Sequence, residues 1–161
     1  MKYAYYYKTK IGPLGIAENG TAITDVFFSI PQGANRWHEK ETPLIRQAKQ
    51  QIDEYLDGKR TTFTVPLELV GTPFQKQVWQ ELQKIPYGQT RSYQQIALAI
   101  GNPKAYRAVG MANNKNPIAI LVPCHRVIGK NGELVGYAGG IDHKQQLLTL
   151  EQTAGKEGVP I

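Results

Sequence analysis

The first third of the chain reads as short strands and the remainder mostly as helices, with the change of character near Gly71. Residues 2–8 are rich in tyrosine and β-prone. Ile11-Gly12-Pro13 marks a turn, residues 14–18 a second strand, and Asn19-Gly20 a hairpin signal. Residues 21–29 form a third strand with Val26, Phe27 and Phe28 apolar, so an antiparallel meander is expected, followed by a polar loop over 30–41. Thr42 as N-cap and Pro43 at the first helical position open a helix. Its apolar stripe is Leu44, Ile45, Ala48, Ile52, Tyr55 and Leu56, and Gly58 ends it. Residues 61–70 are extended and contain Pro66, which suits an edge strand or connector.

Beyond Gly71, Thr72-Pro73 repeats the cap-plus-proline start, and Phe74, Val78, Trp79, Leu82 and Ile85 line one helical face up to the Pro86-Tyr87-Gly88 break. Ser92 with Gln95 makes a capping box for a helix through Ile100, which Gly101 stops. Asn102-Pro103 is expected to start the next helix at once, running to about Asn113; two short helices so joined form a helix-turn-helix. An apolar run over 117–122 leads into Pro123-Cys124-His125-Arg126. Val127-Ile128 and residues 134–137 flank Gly129-Lys130-Asn131-Gly132 as a candidate wing hairpin, and Gly139-Gly140 precedes a last helix containing Leu147, Leu148 and Leu150. Internal repeats and low-complexity segments are absent from the sequence.

With 161 residues, 41% apolar and 20% charged, the chain can bury a real core as one domain or two small ones. The boundary is placed at 1–71 and 72–161. No run approaches a membrane span, and the N-terminus lacks the apolar core of a signal peptide, so the expectation is a soluble, intracellular, cytoplasmic monomer that does not engage membranes. One cysteine excludes an internal disulfide, and with three scattered histidines (His38, His125, His143) it makes a poor zinc site, so neither metal nor cofactor is expected. The net charge of +6 is skewed: residues 1–71 hold nine Lys/Arg against eight Asp/Glu, and residues 72–161 hold ten against five. A basic half-chain favours a polyanionic partner, although charge alone fits a protein that binds no nucleic acid equally well.

Cys124 is the candidate for chemistry. A thiolate is a strong nucleophile, and neighbouring His or Arg side chains favour it. The competing reading is a buried structural cysteine. Context favours chemistry: the thiol stands in a proline-started turn beside His125 and Arg126, just after a helix-turn-helix.

The run from 72 to 151 closely resembles the O6-alkylguanine-DNA alkyltransferase family, in the segments TPFQKQVWQELQKIPYGQTRSYQQIA (72–97), GNPKAYRAVGMANNKNPIAILVPCHRVIGKNGELVGYAGG (101–140) and KQQLLTLE (144–151). The N-terminal meander-plus-helix is compatible with that family's smaller ribonuclease-H-like domain but carries no comparably sharp motif. The resemblance implies an α/β chain: a small ribonuclease-H-like antiparallel sheet plus helix, then a mostly helical winged helix-turn-helix domain. It implies repair of double-stranded DNA by irreversible transfer of an alkyl group from O6 of guanine to Cys124, with O4-alkylthymine an open second substrate. His125 would be the general base through a water, and Glu151 would orient it. The helix-turn-helix would enter the minor groove through Ala105 and Ala108, with Arg107 filling the gap left by the flipped base. Tyr93 would help rotate the nucleotide and stabilise the leaving guanine, and Asn116 would tie the helix-turn-helix to the site. The base would rest against Val127, Tyr137, Ala138 and Gly139, where Gly136, Gly139 and Gly140 allow close backbone approach. A thioether has no easy leaving group, so one turnover per molecule is expected.

Blander roles stand beside these: Arg107 as a phosphate contact, Glu151 as a solvated helix charge, Tyr93 as core packing, Asn116 as a turn cap, and His38 and His143 as surface residues. Two departures from the family pattern are Tyr106, where many members have a small residue, and Gln146, where a tryptophan is common; the zinc ligands of some larger relatives are absent. Three other classes compete: a non-catalytic damage-binding protein, a cysteine hydrolase using His125, and a simple transcription factor. The last explains the helix-turn-helix but not Pro123-Cys124-His125-Arg126.

Overall fold

The computed structural model describes residues 2–29, 37–133 and 140–157, which group into two compact units. The first gathers residues 1–70 with 117–121, the second residues 71–116 with 122–161.

In the first unit, β1 (Tyr3–Thr9), β2 (Gly12–Glu18) and β3 (Ile23–Phe27) form the antiparallel meander, with Tyr5 opposite Ile16 and Ile16 opposite Val26. The expected loop over 30–41 needs correction, because His38–Glu39 forms β4, parallel to Tyr3 and Ala4 at the sheet edge. His38 N–H donates to Lys2 O and Lys40 N–H to Ala4 O, which satisfies the otherwise open edge of β1. Helix α1 (Pro43–Leu56) starts as its sequence predicts: the Thr42 hydroxyl accepts from Ile45 N–H at 3.2 Å. The same hydroxyl donates to Glu18 at 2.8 Å, so a buried carboxylate ties the helix start to β2. Ile45, Ala48, Ile52 and Tyr55 are buried. The far edge of β3 is covered by two single bridges, to Leu67 and to Ile118. Pro66 thus lies on an edge segment, and the apolar run 117–121 is consumed by this unit, with Ile120 held at a positive φ of 71°.

The second unit carries α2 (Pro73–Leu82), β5 (Arg91–Ser92), α3 (Tyr93–Ala99), α4 (Tyr106–Asn114), a 3-10 turn (Cys124–Arg126), β6 (Val127–Ile128) and α5 (Ile141–Glu157). Both Thr72 with Gln75 and Ser92 with Gln95 form complete capping boxes. The second helix of the helix-turn-helix begins later than the sequence suggests, at Tyr106 rather than Asn102. After Ile100 the chain closes with Asn102 N–H donating to Ala97 O and Gly101 at φ +78°. Ala105 N–H then donates to Asn102 O, so Pro103 sits inside a turn instead of at a helix start. Trp79 anchors α2 to α4: it is 2% exposed, and its indole N–H donates to Ala112 O at 2.8 Å. Val127–Ile128 was expected as half of a hairpin; it pairs in parallel with Arg91–Ser92. The other half of the candidate wing, residues 134–137, lies outside the described residues. Among those residues no helix is long and apolar enough to cross a membrane.

Candidate active site

Cys124 sits at the start of a tight double turn. Pro123 has φ −81° and ψ 64°, and Cys124 N–H donates to Val122 O at 2.8 Å, which is an inverse γ-turn. The 3-10 turn follows, with Arg126 N–H on Pro123 O at 3.0 Å and Val127 N–H on Cys124 O. The thiol-bearing residue is 4% exposed. Burial alone would suit an inert cysteine, but ionisable side chains surround this one.

Glu151 of α5 is the organising group. It is 1% exposed, which removes the reading of a solvated helix charge. His125 Nε2 lies 2.6 Å from Oε2, Arg126 donates Nε to Oε1 at 2.9 Å and Nη2 to Oε2 at 3.0 Å, and Gly88 N–H donates to Oε1 at 3.1 Å. Arg126 also donates Nη1 to Ile85 O at 2.7 Å. Burial pushes the carboxyl of Glu151 up, but the bonds from His125 and Arg126 outweigh it and hold the pKa at about 2. Burial lowers the pKa of His125, against the pull of Glu151, so the ring is neutral at neutral pH. An ionised carboxylate can only accept, so the proton of the neutral ring sits on Nε2 and Nδ1 is left with the lone pair. That is the tautomer a base beside the thiol requires.

Two residues here carry no sequence signal of their own. Lys144, on α5, is fully buried. Burial pulls its pKa down to about 8, opposed by its attraction to Cys124, and its Nζ stands 5.9 Å from the Tyr93 ring centroid. Asn113, near the end of α4, is 1% exposed and donates Nδ2 to Cys124 O at 3.3 Å. Neither placement is readable from spacing, because each depends on how α4 and α5 meet the turn. Arg126 was visible as a neighbour of Cys124, but its pairing with Glu151 was not.

The expected site residues separate into groups. Cys124, His125, Glu151, Asn116 and Val127 are all buried, and Asn116 donates Nδ2 to Val122 O at 2.8 Å, two residues before Cys124. Tyr93, the first residue of α3, is half-buried; burial and then the charge of Cys124 raise its pKa, which keeps its hydroxyl protonated. Ala105, Arg107 and Ala108 stand at the accessible start of α4, with the Arg107 guanidinium 5.9 Å from the Tyr106 ring centroid. Tyr137, Ala138 and Gly139 lie outside the described residues. No group of three or more potential metal ligands occurs among the described residues.

Residues 73–153 match the family model of the 6-O-methylguanine DNA methyltransferase DNA-binding domain, and residues 1–69 that of the same family's ribonuclease-like domain. The chain is 50% identical to the constitutive methylated-DNA–protein-cysteine methyltransferase of Bacillus subtilis, over 98% of this chain and 99% of the relative. It superposes on the Mycobacterium tuberculosis O6-methylguanine methyltransferase with a TM-score of 0.90 at 44% identity, covering 96% of this chain and 94% of the other. The M. tuberculosis OGT crystallised in complex with DNA gives a TM-score of 0.88 at 46% identity, covering 94% of each chain.

Proposed function

The chain belongs to the 6-O-methylguanine DNA methyltransferase family, and on that premise we propose that it repairs duplex DNA by moving an alkyl group from O6 of guanine to Cys124. The observation that supports this most strongly is the buried His125–Glu151–Arg126 cluster locked beside the chain's sole cysteine. Cys124 gives its proton, through one water, to Nδ1 of His125, while Glu151 stabilises the imidazolium. The thiolate attacks the alkyl carbon in line. The S–C bond forms as the C–O6 bond breaks, and the electron pair leaves with the purine. The Tyr93 hydroxyl donates a hydrogen bond to the developing negative charge on the leaving base. A protonated Lys144, held between Cys124 and Tyr93, attracts both the thiolate and the anion that replaces it. The product is a thioether with no leaving group, so each molecule reacts once.

The target atom lies inside a base pair, so the nucleotide must turn out of the stack. Arg107 at the start of α4 fills the vacated space, and Ala105 and Ala108 let that helix turn approach the groove. Asn116 and Val127 border the base pocket. The protein acts as a monomer in the cytoplasm and needs no cofactor.

The test is intact and peptide mass analysis after incubation with a duplex bearing one O6-methylguanine, with Cys124→Ala as control. One methyl on Cys124, never more than one per chain, is expected. Tight binding with no mass change would replace transfer by damage recognition, and repeated turnover would point to a hydrolase.

A further inference from the structure

We propose that Asn113 is a positioning residue for the transfer reaction, holding the carbonyl of the nucleophile itself to the second helix of the helix-turn-helix; the proposal rests on Cys124 being the acceptor. The backbone around Cys124 is held at two points. Before it, Val122 O accepts from Cys124 N–H and from the Asn116 amide, each at 2.8 Å. After it, Cys124 O accepts from Val127 N–H and from the Asn113 amide, the latter at 3.3 Å. Pro123 between them has no N–H to offer. Val122 O and Cys124 O therefore each take one backbone donor and one asparagine donor.

A single tether fixes where the turn lies; a second fixes how it is rotated. The position of Sγ depends on that rotation, because the side chain leaves the backbone between the two held carbonyls. Both asparagines come from the C-terminal end of α4 (Tyr106–Asn114) or just beyond it. Asn113 lies six residues from Arg107 on the same helix, about 9 Å along its axis. A displacement of the accessible first turn of α4 is carried by that rigid segment to the Cys124 carbonyl.

The chemistry of the side chain supports a role for its donor. Asn113 is 1% exposed, and among the described residues its Oδ1 has no hydrogen-bond partner. A buried amide with an unmet acceptor is costly, and a leucine of similar shape would avoid that cost. The amide's donor goes to the nucleophile's own carbonyl, so the contact that offsets the cost is the one that aims the thiol.

Asn113→Leu and Asn113→Ala separate aiming from folding. Single-turnover methyl transfer is followed across concentrations of a duplex containing O6-methylguanine, giving a saturating rate constant and a half-saturating concentration. In both variants the saturating rate falls by roughly 10- to 100-fold, and the half-saturating concentration stays at the wild-type value. The melting temperature of Asn113→Leu is no lower than wild type, because the unmet acceptor is gone. A merely structural residue would show the reverse, with lost stability and an unchanged rate per folded molecule. The inference is overturned by wild-type transfer in both variants, by a rate loss that tracks DNA affinity, or by loss of folding in both variants. Wild-type protein run alongside keeps the two readings apart: if it accepts no methyl, the acceptor assignment of Cys124 fails rather than the role of Asn113.

Discussion

At the scale of single residues, the site depends on buried charges that neutralise one another. Glu151 accepts from His125, Arg126 and Gly88 at once, so removing its charge strands two partners. Glu151→Gln keeps the shape but offers one acceptor atom and an unwanted donor to a buried guanidinium. Breaking a buried pair from one side costs about 3–5 kcal/mol, which for a chain of this size is a melting temperature lower by on the order of 10 °C. Thermal unfolding checks the first effect, and transfer by the folded variant should also slow, because His125 loses the partner that fixes its tautomer. An unchanged melting temperature would mean that the carboxylate is not the organising group. Lys144 predicts the opposite combination. Its folded-state pKa of about 8 lies below its ordinary value, so at neutral pH the fold bears the cost of a buried ammonium. Lys144→Met removes the charge and keeps the stem. It should melt several degrees higher and transfer methyl at least about tenfold more slowly; a variant that melts lower would contradict this account.

At the scale of elements, what was legible in the sequence is what local chemistry decides. Thr42, Thr72 and Ser92 each cap a helix, as the two Thr-Pro starts and the spacing of Ser92 with Gln95 predict. Cys124, His125 and Glu151 could be named because they sit in a run whose resemblance to a known family is dense. Illegible were features fixed by long-range partners. His38–Glu39 is a strand only because β1 offers it an edge, and Val127–Ile128 pairs with Arg91–Ser92 across more than thirty residues. The delayed start of α4 was missed because Asn102-Pro103 serves a helix start and a turn equally well by composition, and the closure at Gly101 decides between them. Lys144 looks like any helix lysine until α5 is packed. In the proposed mechanism the capping box at Ser92 also positions the hydroxyl that faces the leaving base, since Tyr93 is the next residue. Ser92→Ala deprives Gln95 N–H of its acceptor and should cost about 1 kcal/mol, read as a melting temperature lower by roughly 2–4 °C. The rate of transfer should fall with it, because the turn that presents the Tyr93 hydroxyl frays; a full rate at the lowered stability would separate Tyr93 from its cap.

For the whole molecule, the same buried groups make stability a function of pH, with signs that can be worked out group by group. His125 is held neutral in the fold by burial, so its folded pKa lies below the ordinary value of 6.5. As pH falls through 6.5 the unfolded chain takes up a proton that the folded chain refuses, and stability declines. Glu151 acts in the same direction at lower pH. Its carboxyl titrates at 4.5 when unfolded and at about 2 when folded, so its contribution, on the order of 3 kcal/mol, is complete above about 4.5 and is lost as pH falls toward 2. Lys144 works at the other end: between about 8 and 10.5 the unfolded chain binds the extra proton, and stability from this group rises with pH. Denaturant unfolding of wild type from about pH 2 to about pH 10.5 should therefore show a decline that begins near 6.5 and steepens below 4.5. Difference curves assign the limbs. Wild type minus Glu151→Gln should shrink as pH drops from 4.5 toward 2, and the advantage of Lys144→Met should shrink as pH rises from 8 to 10.5. Parallel curves for wild type and Glu151→Gln across the acid range would show that His125 and Arg126 do not hold the carboxylate ionised, and the tautomer assigned to His125 would fall with it.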